Sequence, residues 1–293
     1  MKKFEMVKYG RWEYPTDVPI RISEIAGHFD KSDIFPKQSY SLHTEYSFGS
    51  REFNSRCLNG LDVIRNSNFC GIPQLWKNRE WAQEFAQFIT AICAGHSAPE
   101  VIEVHPPFID YTENMHNFVE VYKEFEYSIL EKYPDVKICI ENRCGSRYKT
   151  SPFLFSKYTS FFELCEEIQR EHLRLKIAFD IPQLFTAEAI SDEQSNRMYN
   201  CLRGMKMIRE YFGSVHLWGK GSCNGRSNVA HHGNFDTWFR EPDIKNEFLT
   251  LISELFDDDV VRYMVLEVNS NNSDLISIIN DLKSIDFSFV RVI

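Results

Sequence analysis

Five short apolar segments of this chain each end in a side chain that commonly binds metal ions in proteins. They are Val101–His105, Val136–Glu141, Leu175–Asp180, Ser214–His216 and Tyr263–Glu267. Segments with helical patterns lie between them, which indicates strands that alternate with helices. If these strands are parallel and close into a barrel, their carboxyl ends all open at the same rim. The pattern therefore predicts a metal enzyme.

The elements that would position these side chains predict an α/β fold, a TIM (β/α)8 barrel. Five strand–helix units within about 190 residues fit the spacing of an eight-unit barrel better than that of a short open sheet. Helices are predicted near 79–94, 113–133, 159–172, 192–211, 243–256 and 273–283, and a long loop is predicted after the strand near 213–217. The N-terminal part is irregular, with strands expected in 4–14, 19–25 and 38–43, and 287–293 adds an extra C-terminal strand. We expect a single domain over residues 1–293.

Composition restricts the protein class. The hydrophobic fraction is 43%, typical of a globular chain, and no apolar run approaches the roughly 18 residues of a membrane span. The eight cysteines contain no Cys-x-x-Cys pair, so we expect reduced thiols and a cytoplasmic location. The net charge of −9 disfavours a protein that binds nucleic acid through a basic face.

Four of the strand-end residues form a plausible ligand set for a divalent cation. Glu141, Asp180, His216 and Glu267 would supply three carboxylates and one imidazole from separate strands. This mixture suits Mn²⁺, Zn²⁺, Mg²⁺ or Fe²⁺, and intrinsic affinity alone does not choose among them.

Six motifs that contain or follow these residues resemble the xylose isomerase-like TIM barrels, a superfamily of sugar isomerases and epimerases that also includes the endonuclease IV type of AP endonuclease (family 2). The motifs are EVHPPF (103–108), ICIENR (138–143), IAFDIPQ (177–183), VHLWGKG (215–221), AHHG (230–233) and VLEVN (265–269). The resemblance implies that the same four residues bind the shared metal. It also implies that Glu141 and Glu267 transfer the proton at the substrate carbon beside the carbonyl, through an enediolate.

Two histidines distinguish the branches of this superfamily. In endonuclease IV-like members, histidines on earlier strands hold a second ion, and His105 and, less securely, His43 match their positions. The chain departs from that branch at Gln183, where the endonuclease has a histidine that binds metal. It also lacks an aspartate before His231 and His232, either of which could reach the site. We therefore expect one ion, with two as the alternative.

Other polar and aromatic residues near the predicted rim are candidates for substrate binding. Arg143 could pair with a carboxylate or phosphate, Lys220 could approach an anionic substrate, and Trp218 could stack on a sugar ring. Gln183 could hydrogen-bond a substrate hydroxyl.

Three functions follow from these features. The first is a metal-dependent isomerase or epimerase of a sugar-like small molecule. The second is a metal-dependent phosphodiesterase acting on abasic DNA, the only one with a nucleic acid partner. The third is a barrel that binds a metabolite without catalysis. No membrane partner is expected, and the oligomeric state is not predicted.

Overall fold

The computed structural model describes residues 2–47, 57–145, 151–191 and 195–291. Its strands are β1 (Lys2–Lys8), β2 (Ile20–Gly27), β3 (Ser39–Thr44), β4 (Asn68–Phe69), β5 (Ile72–Pro73), β6 (Val101–Val104), β7 (Lys137–Glu141), β8 (Lys176–Asp180), β9 (Phe212–Leu217), β10 (Lys220–Cys223), β11 (Arg226–Ala230), β12 (Arg262–Leu266) and β13 (Phe287–Phe289). Its α-helices are α1 (Asp62–Asn66), α2 (Arg79–Ile92), α3 (Met115–Lys132), α4 (Tyr158–Arg170), α5 (Ile181–Ala187), α6 (Ser195–Met205), α7 (Phe235–Trp238), α8 (Pro242–Leu255) and α9 (Asn272–Ser284). A 3₁₀ helix, Lys206–Tyr211, follows α6.

Eight parallel strands form a closed barrel. The order around the ring is β1, β2, β3, β6, β7, β8, β9 and β12, and the pairing of β12 with β1 closes it. Helices lie between the strands from β6 onward, as in a TIM barrel, so the predicted fold class is confirmed. β1 and β2 are joined without a helix, which accounts for the irregular pattern at the start of the sequence.

The predicted C-terminal strand lies outside the ring. β13 pairs in parallel with β1, and Lys2 is in register with Phe287. The ring of Phe287 stacks on that of Phe4 at 4.7 Å between centroids, so an aromatic contact supports this short ladder. The last two residues of the predicted strand, 292–293, lie outside the described residues.

The segment after β9 differs from the predicted long loop. It contains an antiparallel hairpin of β10 and β11, followed by the short helix α7. Asn224 and Gly225 form its turn, and both have positive φ, of 51° and 73°. This is the backbone that a two-residue Asn-Gly hairpin turn requires.

Chain contacts divide the protein into two compact units, residues 24–178 and residues 1–23 with 179–293. In the first unit, α2 and α3 pack through buried aromatic rings around Trp76 and Phe125, whose centroids are 5.3 Å apart. In the second, Phe4 and Phe212 each contact Phe256 edge-on. The prediction of a single domain remains a prediction. Among the described residues, no helix is long and apolar enough to cross a membrane.

A buried arginine stabilises the start of β12. Arg262 is 1% exposed and donates to both carboxylate oxygens of Asp258, at 2.7 and 2.8 Å. It also donates to the backbone carbonyls of Phe212 and Arg209. Burial alone would raise the pKa of Asp258, but the hydrogen bonds and charge of Arg262 hold it below its usual range. This stabilisation is therefore present above the ordinary aspartate pKa and is lost as the pH falls through the depressed value.

We expect Arg262→Met to lower the free energy of unfolding by about 1–3 kcal/mol, because it leaves two carbonyls without this donor and leaves Asp258 with Arg209, at 3.2 Å, as its remaining ion-pair partner. Urea unfolding at neutral pH measures this loss, and the gap from the wild type should narrow at acid pH. Lys283→Met is the matched control, since Lys283 pairs with the exposed Asp17 at the surface. A control midpoint shifted as far as that of Arg262→Met would contradict the prediction.

Candidate metal centre

The strand register brings two imidazoles and two carboxylates onto one face of the sheet in residues 24–178. His43 on β3 is in register with Glu103 on β6. On the other side of β6, Val104 is in register with Ile140 of β7, so His105, directly after β6, lies beside Glu141. Side chains two residues apart share a face of a strand, so all four residues project on the same side.

His105 is oriented by one contact to its ring and by one hydrogen bond to its backbone carbonyl. Its Nδ1 lies 3.2 Å from the carbonyl oxygen of Glu45, and its own carbonyl accepts a hydrogen bond of 2.6 Å from the indole of Trp76. Its other ring nitrogen, Nε2, lies 3.0 Å from Oε2 of Glu141, so the imidazole bridges a carbonyl and a carboxylate. A metal-binding His105 would keep its proton on Nδ1, beside the carbonyl, and direct the Nε2 lone pair toward a cation shared with Glu141. Two electron-pair donors that converge in this way suit a shared cation.

His43 and Glu103 complete this group, which we call the histidine cluster (His43, Glu103, His105 and Glu141). The Nε2 atom of His43 lies 3.5 Å from Glu103 Oε1 and 4.0 Å from Glu141 Oε2. Each of the four residues offers a ligand atom within 4.8 Å of the others, and only His43 is partly exposed. Two imidazoles and two carboxylates fit Zn²⁺, Mn²⁺ or Fe²⁺.

Arg143 pairs with the carboxylate of Glu141. Its Nη1 atom lies 3.2 and 3.4 Å from the two oxygens, and its guanidinium lies 5.3 Å from the ring centre of Tyr46. The sequence predicted that Arg143 could pair with a carboxylate, and in the structure that carboxylate belongs to the protein. The ion pair balances the negative charge of a fully buried Glu141.

Residues 179–293 hold a second group of predicted ligands at the ends of β8, β9 and β12. Asp180 is the last residue of β8 and the N-cap of α5, and its Oδ1 accepts the backbone N–H of Gln183 at 2.7 Å. Its Oδ2 accepts the indole N–H of Trp218 at 2.9 Å. Both oxygens are therefore oriented, and each keeps a lone pair that could bind a metal.

Glu267 is held between two imidazoles. Its Oε1 lies 3.3 Å from Nδ1 of His216, and its Oε2 lies 3.1 Å from Nδ1 of His231. Burial alone would raise the pKa of Glu267, but hydrogen bonds from both histidines and their charge hold that pKa well below its usual range. The carboxylate is therefore ionised at neutral pH.

His231, rather than His232, reaches this group. It follows the hairpin with a φ of 61°, and its ring lies 4.4 Å from that of Trp218. Lys220 at the base of the hairpin donates to Thr186 and lies over the ring of Trp218, 5.9 Å from its centre.

The structure also contains site residues that the sequence prediction did not include. Glu103 belongs to the histidine cluster, and its spacing of two residues before His105 on one strand was the available signal. Glu45 and Tyr46 contact the cluster from the segment after β3, which carries no apolar strand pattern of its own. The roles predicted for Gln183, Lys220 and Trp218 in substrate binding remain predictions.

Comparisons with known proteins give two similarities in fold. No protein-family model matches the chain, and no curated protein matches it either. The chain is similar to the crystal structure of an AP endonuclease, family 2, from Brucella melitensis, with 9% identity, a TM-score of 0.48, and coverage of 94% of this chain and 97% of that one. It is also similar to a xylose isomerase domain protein from Planctomyces limnophilus, with 11% identity, a TM-score of 0.43, and coverage of 96% and 93%. The barrel itself is established by the strand pairings.

Proposed function

We propose that this protein is a divalent-metal-dependent isomerase or epimerase of a sugar or sugar derivative, working by proton transfer through an enediolate. The observation that carries the proposal is the placement of Glu267, a buried carboxylate whose oxygens lie 3.3 and 3.1 Å from the imidazoles of His216 and His231. A base that removes a proton from carbon must be ionised and shielded from water. Glu267 meets both conditions.

The ion in this proposal is bound by Glu141, Asp180, His216 and Glu267. Strand register supports the set: Glu141 is in register with Ala178, two residues before Asp180, and His216 is in register with Val265, two residues before Glu267. Each pair therefore shares one face of the sheet. When bound, the metal would polarise a substrate carbonyl and hydroxyl and so acidify the C–H between them.

Side chains of the protein would transfer the proton and bind the substrate. Glu267 removes the proton from one face of the substrate carbon, and Glu141 returns it, or takes the opposite role for the reverse direction. Arg143 neutralises Glu141 and would also contact an anionic substituent, with Lys220 as a second cation. The buried Gln183 is proposed to hydrogen-bond a substrate hydroxyl. Since all eight cysteines are free thiols, we also propose a reducing compartment such as the cytoplasm.

The histidine cluster favours a second candidate, a phosphodiesterase that uses two ions on abasic DNA. His43 and His105 with Glu103 and Glu141 would hold the additional ion. Gln183 in place of a histidine, the absence of an aspartate before His231, and the net charge of −9 weigh against it.

Metal content and solvent exchange test the two functions together. For the isomerase we expect one tightly bound ion per chain and, in D₂O, deuterium incorporation beside the carbonyl of at least one member of a panel of aldoses, ketoses and their phosphates. Removal of the metal with a chelator should abolish the exchange, and Mn²⁺ or Zn²⁺ should restore it. Two ions per chain with incision of an abasic duplex would establish the second candidate instead. If the metal-loaded protein shows neither activity, the result favours the third function, a barrel that binds a metabolite without catalysis.

A further inference from the structure

Trp218 lies directly after β9 and is buried, with 2% of its surface exposed. Its indole Nε1 donates to Asp180 Oδ2 at 2.9 Å. Its ring packs on His231 at 4.4 Å and is nearly parallel to Trp238 at 6.2 Å. A ring enclosed on these sides has little surface left for stacking on a sugar.

The backbone beside this indole is also fixed. Gly219 packs so closely against Asn234, the N-cap of α7, that a Cβ atom there would lie 2.5 Å from its carbonyl oxygen. A larger residue at 219 would have to displace backbone. The start of α7 therefore fixes the backbone next to Trp218.

Trp218 helps to orient two different carboxylates, those of Asp180 and Glu267. It restrains Asp180 directly, while the backbone N–H of Gln183 holds the other oxygen at 2.7 Å. Through His231 it reaches Glu267, because the imidazole on which it packs lies 3.1 Å from Glu267 Oε2. Groups that orient metal-binding carboxylates in this way contribute to metal affinity even though they never touch the ion.

We propose that Trp218 is a positioning residue that fixes the Asp180 carboxylate by its N–H, and Glu267 through His231, and thereby sets the metal affinity of the site. The inference rests on the proposed metal site. It assigns Trp218 a function in the protein's own framework and not in stacking on the substrate. The N–H group, and not only the volume of the indole, is then the important feature.

The test is titration of the metal-free protein with Co²⁺, whose visible spectrum reports ligand geometry independently of activity. Trp218→Phe removes the donor and keeps an aromatic ring, whereas Trp218→His keeps a ring N–H, since imidazole Nε2 corresponds in ring position to indole Nε1. We expect Trp218→Phe to weaken Co²⁺ binding by about 10- to 100-fold and to change the spectrum. Trp218→His should retain most of the affinity. Trp238→Phe, a change in the adjacent stacked ring, is the control and should resemble the wild type.

Each result bears on the inference. Equal Co²⁺ affinity and spectrum in the wild type and Trp218→Phe, or an equal loss in Trp218→Phe and Trp218→His, would overturn it while leaving the proposed function intact. Failure of the wild type to bind Co²⁺ would overturn both. Thermal unfolding of the metal-free variants checks that each is folded, and Trp218→Leu is the second donor-free variant should Trp218→Phe not fold.

Discussion

Glu267→Gln is expected to abolish exchange of the substrate C–H with solvent deuterium, with a loss in kcat of about 10²- to 10⁴-fold. Glutamine has the size of glutamate and keeps an oxygen that can bind a metal, but its amide cannot accept a proton from carbon. The wild-type carboxylate can, because it is ionised and has oxygen lone pairs that accept a proton. Deuterium incorporation followed by mass spectrometry measures the effect, and full exchange by the variant would remove Glu267 from its proposed role.

The same substitution should also change how the stability of the protein depends on pH. A depressed pKa means that the ionised Glu267 stabilises the fold above the ordinary glutamate pKa, and that this stabilisation is lost as the pH falls through the depressed value. The metal-free Glu267→Gln variant should therefore lose part of the acid sensitivity of the wild type. Glu254→Gln makes the same chemical change at an exposed position of α8 and should alter neither exchange nor acid unfolding.

The fold was predictable where the chain alternates between apolar strands and amphipathic helices. The segment ending at Asp180 is an example, because its predicted apolar run is buried in β8. The short helix α5, which Asp180 caps, was not predicted, since the sequence analysis placed the next helix at 192–211. The partner of β13 was not predictable, because the pairing of Phe287 with β1 depends on a contact with Phe4 that only the closed barrel creates.

The hairpin after β9 illustrates a signal that was present and was not used. Asn224-Gly225 between two short segments is a strong indication of a two-residue turn, yet the surrounding glycines suggested a loop. The choice between His231 and His232 follows from this geometry, since the hairpin delivers the first of them to Glu267. Adjacent histidines in a sequence do not reveal which of them turns inward.

Glu103 was missed for a different reason. A glutamate inside an apolar strand resembles an exposed residue of an alternating pattern, whereas here every residue of β6 is buried. Its pairing with His43 comes from the register between β3 and β6, which the sequence does not specify.

Glu141→Gln is expected to have the other large effect, because it alters a proposed ligand and one of the two proposed proton carriers together. We expect a loss in kcat of about 10²- to 10⁴-fold and weaker Co²⁺ binding. The variant also leaves Arg143 beside a neutral amide, so an anionic substrate should lose less affinity than a neutral one. KM values for a sugar and its phosphate, measured in both proteins, report this difference. Unchanged kcat and Co²⁺ affinity would exclude Glu141 from the site.

His105→Asn separates the two candidate functions within the same cluster. The asparagine amide can donate to the carbonyl of Glu45, beside which Nδ1 of His105 lies, but it has no counterpart of Nε2. In an isomerase with one ion, His105 only orients Glu141, so we expect activity to fall by about 10- to 100-fold with the metal content unchanged. In a phosphodiesterase with two ions, the same change removes a ligand, so one ion and the activity should be lost together. A metal analysis of this variant beside the wild type therefore decides whether His105 orients a base or holds an ion.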